Sequence, residues 1–116
     1  MLMTKILLPD QFNAETISDL MRDAIGASAS LFPPSLENEL VEIAQYVLNS
    51  LESRAIVSRT EILQPAKLNS TTIAILMWER TLGPNAWTQG TEEAHMVTID
   101  QAQYVLDALY QRGIIG

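Results

Sequence analysis

The chain repeats itself. Lys5-Ile6-Leu7-Leu8-Pro9, Phe12-Asn13, Thr16-Ile17 and Leu20-Met21 return 56 residues later as Glu61-Ile62-Leu63-Gln64-Pro65, Leu68-Asn69, Thr72-Ile73 and Leu76-Met77. Ala44-Gln45-Tyr46-Val47-Leu48, Leu51, Arg54 and Ile56 return at an offset of 58 as Ala102-Gln103-Tyr104-Val105-Leu106, Leu109, Arg112 and Ile114. Eight of 17 positions match in the first block (5–21) and eight of 13 in the second (44–56), where unrelated sequence gives about one each. A half of 58 residues buries too little surface to be secure alone. The expectation is therefore one domain over 1–116, built from repeats 1–58 and 59–116 that share an interior. Each repeat reads as strand–helix–helix. The fold class expected is mainly α with a small β element: four principal helices related by a pseudo-twofold axis.

The recurring residues carry helix-start chemistry. Asn13 and Asn69 suit the N-cap, where a side-chain oxygen accepts from a free first-turn amide. Phe12 and Leu68 then precede the cap while Ile17 and Ile73 follow it, as in a hydrophobic staple, and Thr16 and Thr72 fall three residues after it. Asn69-Ser70-Thr71 also fits a glycosylation acceptor, but capping accounts for it. Pro9 and Pro65 cannot donate to a ladder and should end the preceding strand. The second helix of repeat 1 is expected from Pro33-Pro34-Ser35 to about Arg54, with Val41, Ala44, Val47, Leu48 and Leu51 as its core stripe. Its counterpart should start at a capping box of Thr98 and Gln101, bury Ala102, Val105, Leu106 and Leu109, and stop at Gly113. Arg54 and Arg112 would sit in the last turns, where a cation suits the helix dipole. Residues 55–63 should be extended. Segments 6–7 and 62–63 could pair antiparallel about the pseudo-twofold axis, which would put the opposite charges of Lys5 and Glu61 on one ribbon. The expected core is Ile17, Leu20, Met21, Val47, Leu48, Leu51, Ile73, Leu76, Met77, Val105, Leu106 and Leu109.

The net charge of −7 divides into −5 for residues 1–58 and −2 for 59–116, and the seven Lys and Arg form no cluster. Such a chain is poorly suited to holding phosphates. It has no cysteine, which excludes disulfides and thiolate chemistry. Ile6-Leu7-Leu8 is too short for a signal-peptide core and no later run approaches a membrane span. A cytoplasmic protein with no membrane association is expected.

Differences between the copies point to a surface. Glu15, Asp19, Arg22 and Gly26 correspond to Thr71, Ile75, Trp78 and Leu82, four positions on one helical face. That face is polar in the first copy and apolar in the second, so it needs a cover. One cover is the loops at 26–34 or 83–97, with Leu31, Phe32 or Trp87 as plugs. The other is a partner, most simply a second copy of the chain, with Trp78 as anchor. Tyr46 and Tyr104 recur off the core stripe, and should either lie against a neighbouring element or join an interaction face.

Catalytic chemistry finds little foothold. His95 is the only histidine; with Glu92 it has helical ligand spacing, yet no second histidine completes a metal site. A solvated loop position is expected for it. There is no Gly-x-Ser-x-Gly elbow and no glycine-rich phosphate loop. Glu37, Glu39 and Glu42 suit a helix start. No metal or cofactor is expected.

Strand–helix–helix units joined by a twofold ribbon resemble the ribbon-helix-helix DNA-binding class, here as a single-chain pseudo-dimer. The resemblance covers the element order of both repeats and implies major-groove reading by polar and basic ribbon residues. This ribbon offers Lys5, Glu61 and mostly Ile and Leu. The function expected is instead a non-enzymatic protein–protein interaction or regulatory module, self-associating through Ile75, Trp78 and Leu82, with Phe32, Trp87, Tyr46 and Tyr104 as further surface residues. Two alternatives are a ribbon-helix-helix-like DNA-binding regulator, and a small-molecule-binding or enzymatic domain with a pocket between the repeats.

Overall fold

The computed structural model describes residues 5–25 and 34–116. Five helices lie among them: α1 (Ala14–Ile25), α2 (Pro34–Ser53), α3 (Ser70–Leu82), the short α4 (Ala86–Gln89) and α5 (Glu92–Gln111). The molecule is mainly helical. No described helix is long and apolar enough to cross a membrane.

Helices α1 and α3 start as their caps require. Asn13 Oδ1 accepts from Thr16 N at 2.9 Å, and Asn69 Oδ1 accepts from Thr72 N at 2.9 Å. Each asparagine also donates backward through Nδ2, to Asp10 O at 2.7 Å and to Ala66 O at 2.9 Å. Aspartate could cap but could not make that second bond. Leu68 is buried and Phe12 packs against the core, lining with Ile17 and Ile73 one small internal void.

Helices α2 and α5 end in left-handed caps. Ala55 has φ +56° and Gly113 φ +71°. The next amides reach back five residues, Ile56 N to Leu51 O and Ile114 N to Leu109 O, both at 2.9 Å. Only glycine takes this conformation without a steric cost. Ala55→Gly is therefore expected to stabilise the protein by about 0.5–1 kcal/mol, read as a raised midpoint in urea denaturation at unchanged slope. A lowered midpoint would refute the strain.

The β element consists of three isolated antiparallel bridges among the described residues: Lys5 with Glu61, Ile6 with Ile115, and Val57 with Ile62. The expected Lys5–Glu61 pair forms. Residues 55–63, however, are not extended. The left-handed Ala55 reverses the chain after α2, and Ser58 closes a turn by donating its amide to Glu61 O at 2.8 Å and accepting from Glu61 N through Oγ at 3.1 Å. Segment 62–63 consequently pairs with the tail of α2, and Leu63 N donates to Ile56 O at 2.8 Å. Segment 6–7 pairs with the chain end, and Leu7 N donates to Ile114 O at 2.8 Å.

Two further expectations are corrected. Helix α5 begins at Glu92, not at Thr98: Thr91 caps it, accepting from Ala94 N at 3.2 Å, and Glu92 and Glu93 occupy the favourable first turn. Arg54 and Arg112 lie at or beyond the helix ends, and their guanidinium groups reach across to neighbouring helices. Arg54 pairs with Glu79 of α3 at 3.1 Å and Arg112 approaches Asp23 of α1 at 3.9 Å.

The core lies where α1 packs on α2 and α5, and α3 packs on α2 and α5. Every expected core residue is buried except Met77, which is partly buried against it. The tails add Ile6, Ile56, Val57, Ile62, Ile114 and Ile115. Each is β-branched, so it loses little rotamer freedom on extended backbone and packs well there.

Candidate functional site

The face of α3 that carries Trp78 packs against α4 and the start of α5. Trp78 is half-buried and its rings meet two neighbours. Trp87, on α4, stands edge-on to it with centroids 5.2 Å apart. His95, on the first turns of α5, also stands edge-on at 5.2 Å and stacks on Trp87 at 3.9 Å with 9° between planes. Such contacts are worth about 0.5–1.5 kcal/mol each beyond area burial.

Polar bonds fix the cluster. Trp78 Nε1 donates to Thr98 Oγ1 at 2.8 Å, and that hydroxyl lies 3.2 Å from Ala94 O, to which it donates. This is the role of Thr98 in place of a helix cap. His95 Nε2 lies 2.7 Å from the carbonyl oxygen of Trp87. A carbonyl only accepts, so Nε2 carries the proton in this bond. His95 is thus a half-buried helical residue holding α4 to α5, not a solvated loop residue. Gly90 passes so close over Trp78 that any Cβ there would collide with Cζ3 and Cη2 of the indole. The segment 83–97 closes on Trp78 because a small residue at 90 lets it.

The remaining predicted residues scatter. Ile75 is half-buried and lines a cleft with Arg54, Ile56, Lys67 and Thr72. Leu82 ends α3 and is 64 % exposed. Tyr46 lies between helices, donating to Glu79 Oε2 at 3.2 Å, the oxygen that Arg54 also holds. Tyr104 is 45 % exposed beside Asp107 and Arg112. Phe32, with Leu31 and Gly26, lies outside the described residues. So the structure joins Trp78 to Trp87 and leaves Leu82, Tyr46 and Tyr104 apart.

Sequence reasoning did not single out His95 and Thr98 as members of the cluster, nor Met96 and Val97, which are 51 % and 58 % exposed on the outer side of α5. A signal was present: once Thr91 is taken as the cap, Ala94, His95, Thr98 and Ile99 fall on the inner face at helical spacing. Among the described residues no group of three His, Cys, Asp or Glu could hold a metal ion. Compared with known proteins, this chain matches no family model, no curated protein and no solved structure.

Proposed function

We propose that the chain is a tandem duplication with halves 1–58 and 59–116 about a pseudo-twofold axis, acting as a non-enzymatic protein–protein interaction module. Support for the duplication comes from contacts that recur at the sequence offsets. Leu7 to Ile114 answers Leu63 to Ile56, and Gly116 N to Lys5 O at 2.9 Å answers Ser58 N to Glu61 O at 2.8 Å. Gln45 to Asn49 at 2.9 Å answers Gln103 to Asp107 at 2.8 Å, and Arg54–Glu79 answers Arg112–Asp23. On this reading Lys5 and Glu61 flank the axis.

The observation that carries the function is the pairing, in residues 78–98, of an aromatic clamp with exposed aliphatics. Trp78, Trp87 and His95 hold the segment 83–97 in place, and Leu82 just before it and Met96 and Val97 at its end stand in water. Large apolar residues in water on a rigid support suit a partner surface. The partner is a second copy of the chain. Light scattering at about 50 μM is expected to give twice the 12.9 kDa chain mass. Leu82→Glu combined with Val97→Glu is expected to yield folded monomer, since neither position is buried. A wild-type species of single-chain mass would refute self-association.

A further inference from the structure

We propose that the cleft between the end of α2 and the start of α3 binds a small organic monoanion, an aliphatic carboxylate with a short hydrocarbon body. The cleft measures about 230 Å³ and is lined by Arg54, Ile56, Lys67, Thr72 and Ile75. The lining offers two cations and a hydroxyl to a charged head, and Ile75 with the buried Ile56 to an apolar tail. The volume lies below the range of drug-sized sites, about 300–1,000 Å³, and suits a ligand of a few carbons.

The charge balance selects one negative charge. Arg54 Nη2 is held at 3.1 Å by Glu79 Oε2, which Tyr46 also engages. That bond fixes the guanidinium and uses one of its five N–H donors, leaving others for a ligand. Glu79 offsets the arginine's charge. Lys67 is in no ion pair among the described residues, so one positive charge remains unmatched. Thr72 belongs to the first turn of α3, whose dipole has the same sign there.

The positions at the recurring offsets supply an internal comparison. At the offsets of 56 and 58, Arg54, Ile56 and Thr72 correspond to Arg112, Ile114 and Thr16, which are retained, while Lys67 and Ile75 correspond to Gln11 and Asp19. The five cleft positions carry two positive charges, Arg54 and Lys67; at their counterparts, Arg112 and Asp19 cancel. The two replacements add a cation and exchange a carboxylate for an apolar wall. Both favour an amphipathic anion, in a chain whose net charge is −7. The sum of charges elsewhere weakens at the cleft beyond the Debye length of about 8 Å at physiological salt.

The test is a titration of the full chain, isoleucine methyls labelled, with hexanoate, acetate, hexan-1-ol and inorganic phosphate. Hexanoate should shift the Ile56 and Ile75 methyls saturably, with Kd on the order of 1 mM, while acetate and hexan-1-ol bind at least about tenfold more weakly. Lys67→Gln should weaken hexanoate about tenfold and Ile75→Asp should abolish saturation. Each variant installs the residue found at the matching place in the first half, and unchanged methyl shifts elsewhere establish its fold. Hexan-1-ol binding as tightly as hexanoate, phosphate displacing hexanoate at equal concentration, no saturable shift, or a Lys67→Gln affinity equal to wild type would each overturn the proposal. Self-association plays no part in the site, so monomeric protein serves equally.

Discussion

Leu51→Ala and Leu109→Ala should each lose about 3–4 kcal/mol of stability. Both leucines are buried, one near the end of α2 and the other near the end of α5. Each carbonyl accepts the amide that follows a left-handed cap, so the backbone at both sites is tied down and cannot collapse into a new space. Both also border the same small void, together with Phe12, Val47, Leu68 and Val105. Removing either side chain enlarges a defect already present, and a cavity that cannot relax costs more than the transfer of the lost methyls. A chain of this length typically has roughly 6–17 kcal/mol in all. The double variant merges the two cavities, and its cost should depart from the sum. Urea denaturation checks this. The two single costs should agree within about 1 kcal/mol if the halves share one architecture. A cost under about 1 kcal/mol for either would remove that residue from the core.

Trp78→Ala should cost about 2–4 kcal/mol, somewhat less than a fully buried tryptophan because the ring is only half-buried. The loss should be local. Without the indole, Trp87 and His95 lose an edge-on partner and Thr98 Oγ1 loses a donor. The segment 83–97 should then open more often, with α4 at its centre, while α1 and α2 keep their protection. Amide hydrogen exchange resolved by residue measures this directly. If stability changed by less than about 1 kcal/mol and a dimer dissociated instead, Trp78 would be a contact between chains and not an internal clamp.

What was legible in the sequence was chiefly local. The two asparagine caps, the staples behind them and the apolar stripes of α1, α2, α3 and the second half of α5 follow from residues within a few positions of one another. Gly113 announced its left-handed cap for the same reason. Ala55 did not, because alanine carries no such signal, although Gly113 stands at the recurring offset of 58 from it. The misplaced start of α5 came from the capping-box pattern of Thr98 and Gln101: Thr91 is equally able to cap, and contact with Trp78 places Thr98 inside the helix.

The candidate site was half legible. An apolar face at Ile75, Trp78 and Leu82 was visible from comparing residues 15–26 with 71–82, with Trp87 as one candidate cover. That His95 stacks on Trp87 and donates to its carbonyl depends on α4 and α5 folding back together. Spacing along the chain does not encode that approach. The cleft beside Ile75 was invisible for the same reason: Arg54 and Lys67 are 13 residues apart and are brought to one hollow by the Ser58 turn.

By itself, then, the sequence determined where helices begin, which stripes are apolar and which positions recur, because each depends on nearest-neighbour chemistry and periodicity. Tertiary structure alone decided that Ile6 meets Ile115 and Ile62 meets Val57. Four similar β-branched segments can pair in several ways of nearly equal local energy. The choice falls to the packing of α1, α2, α3 and α5, which sets where each segment ends and which neighbour can satisfy its amides.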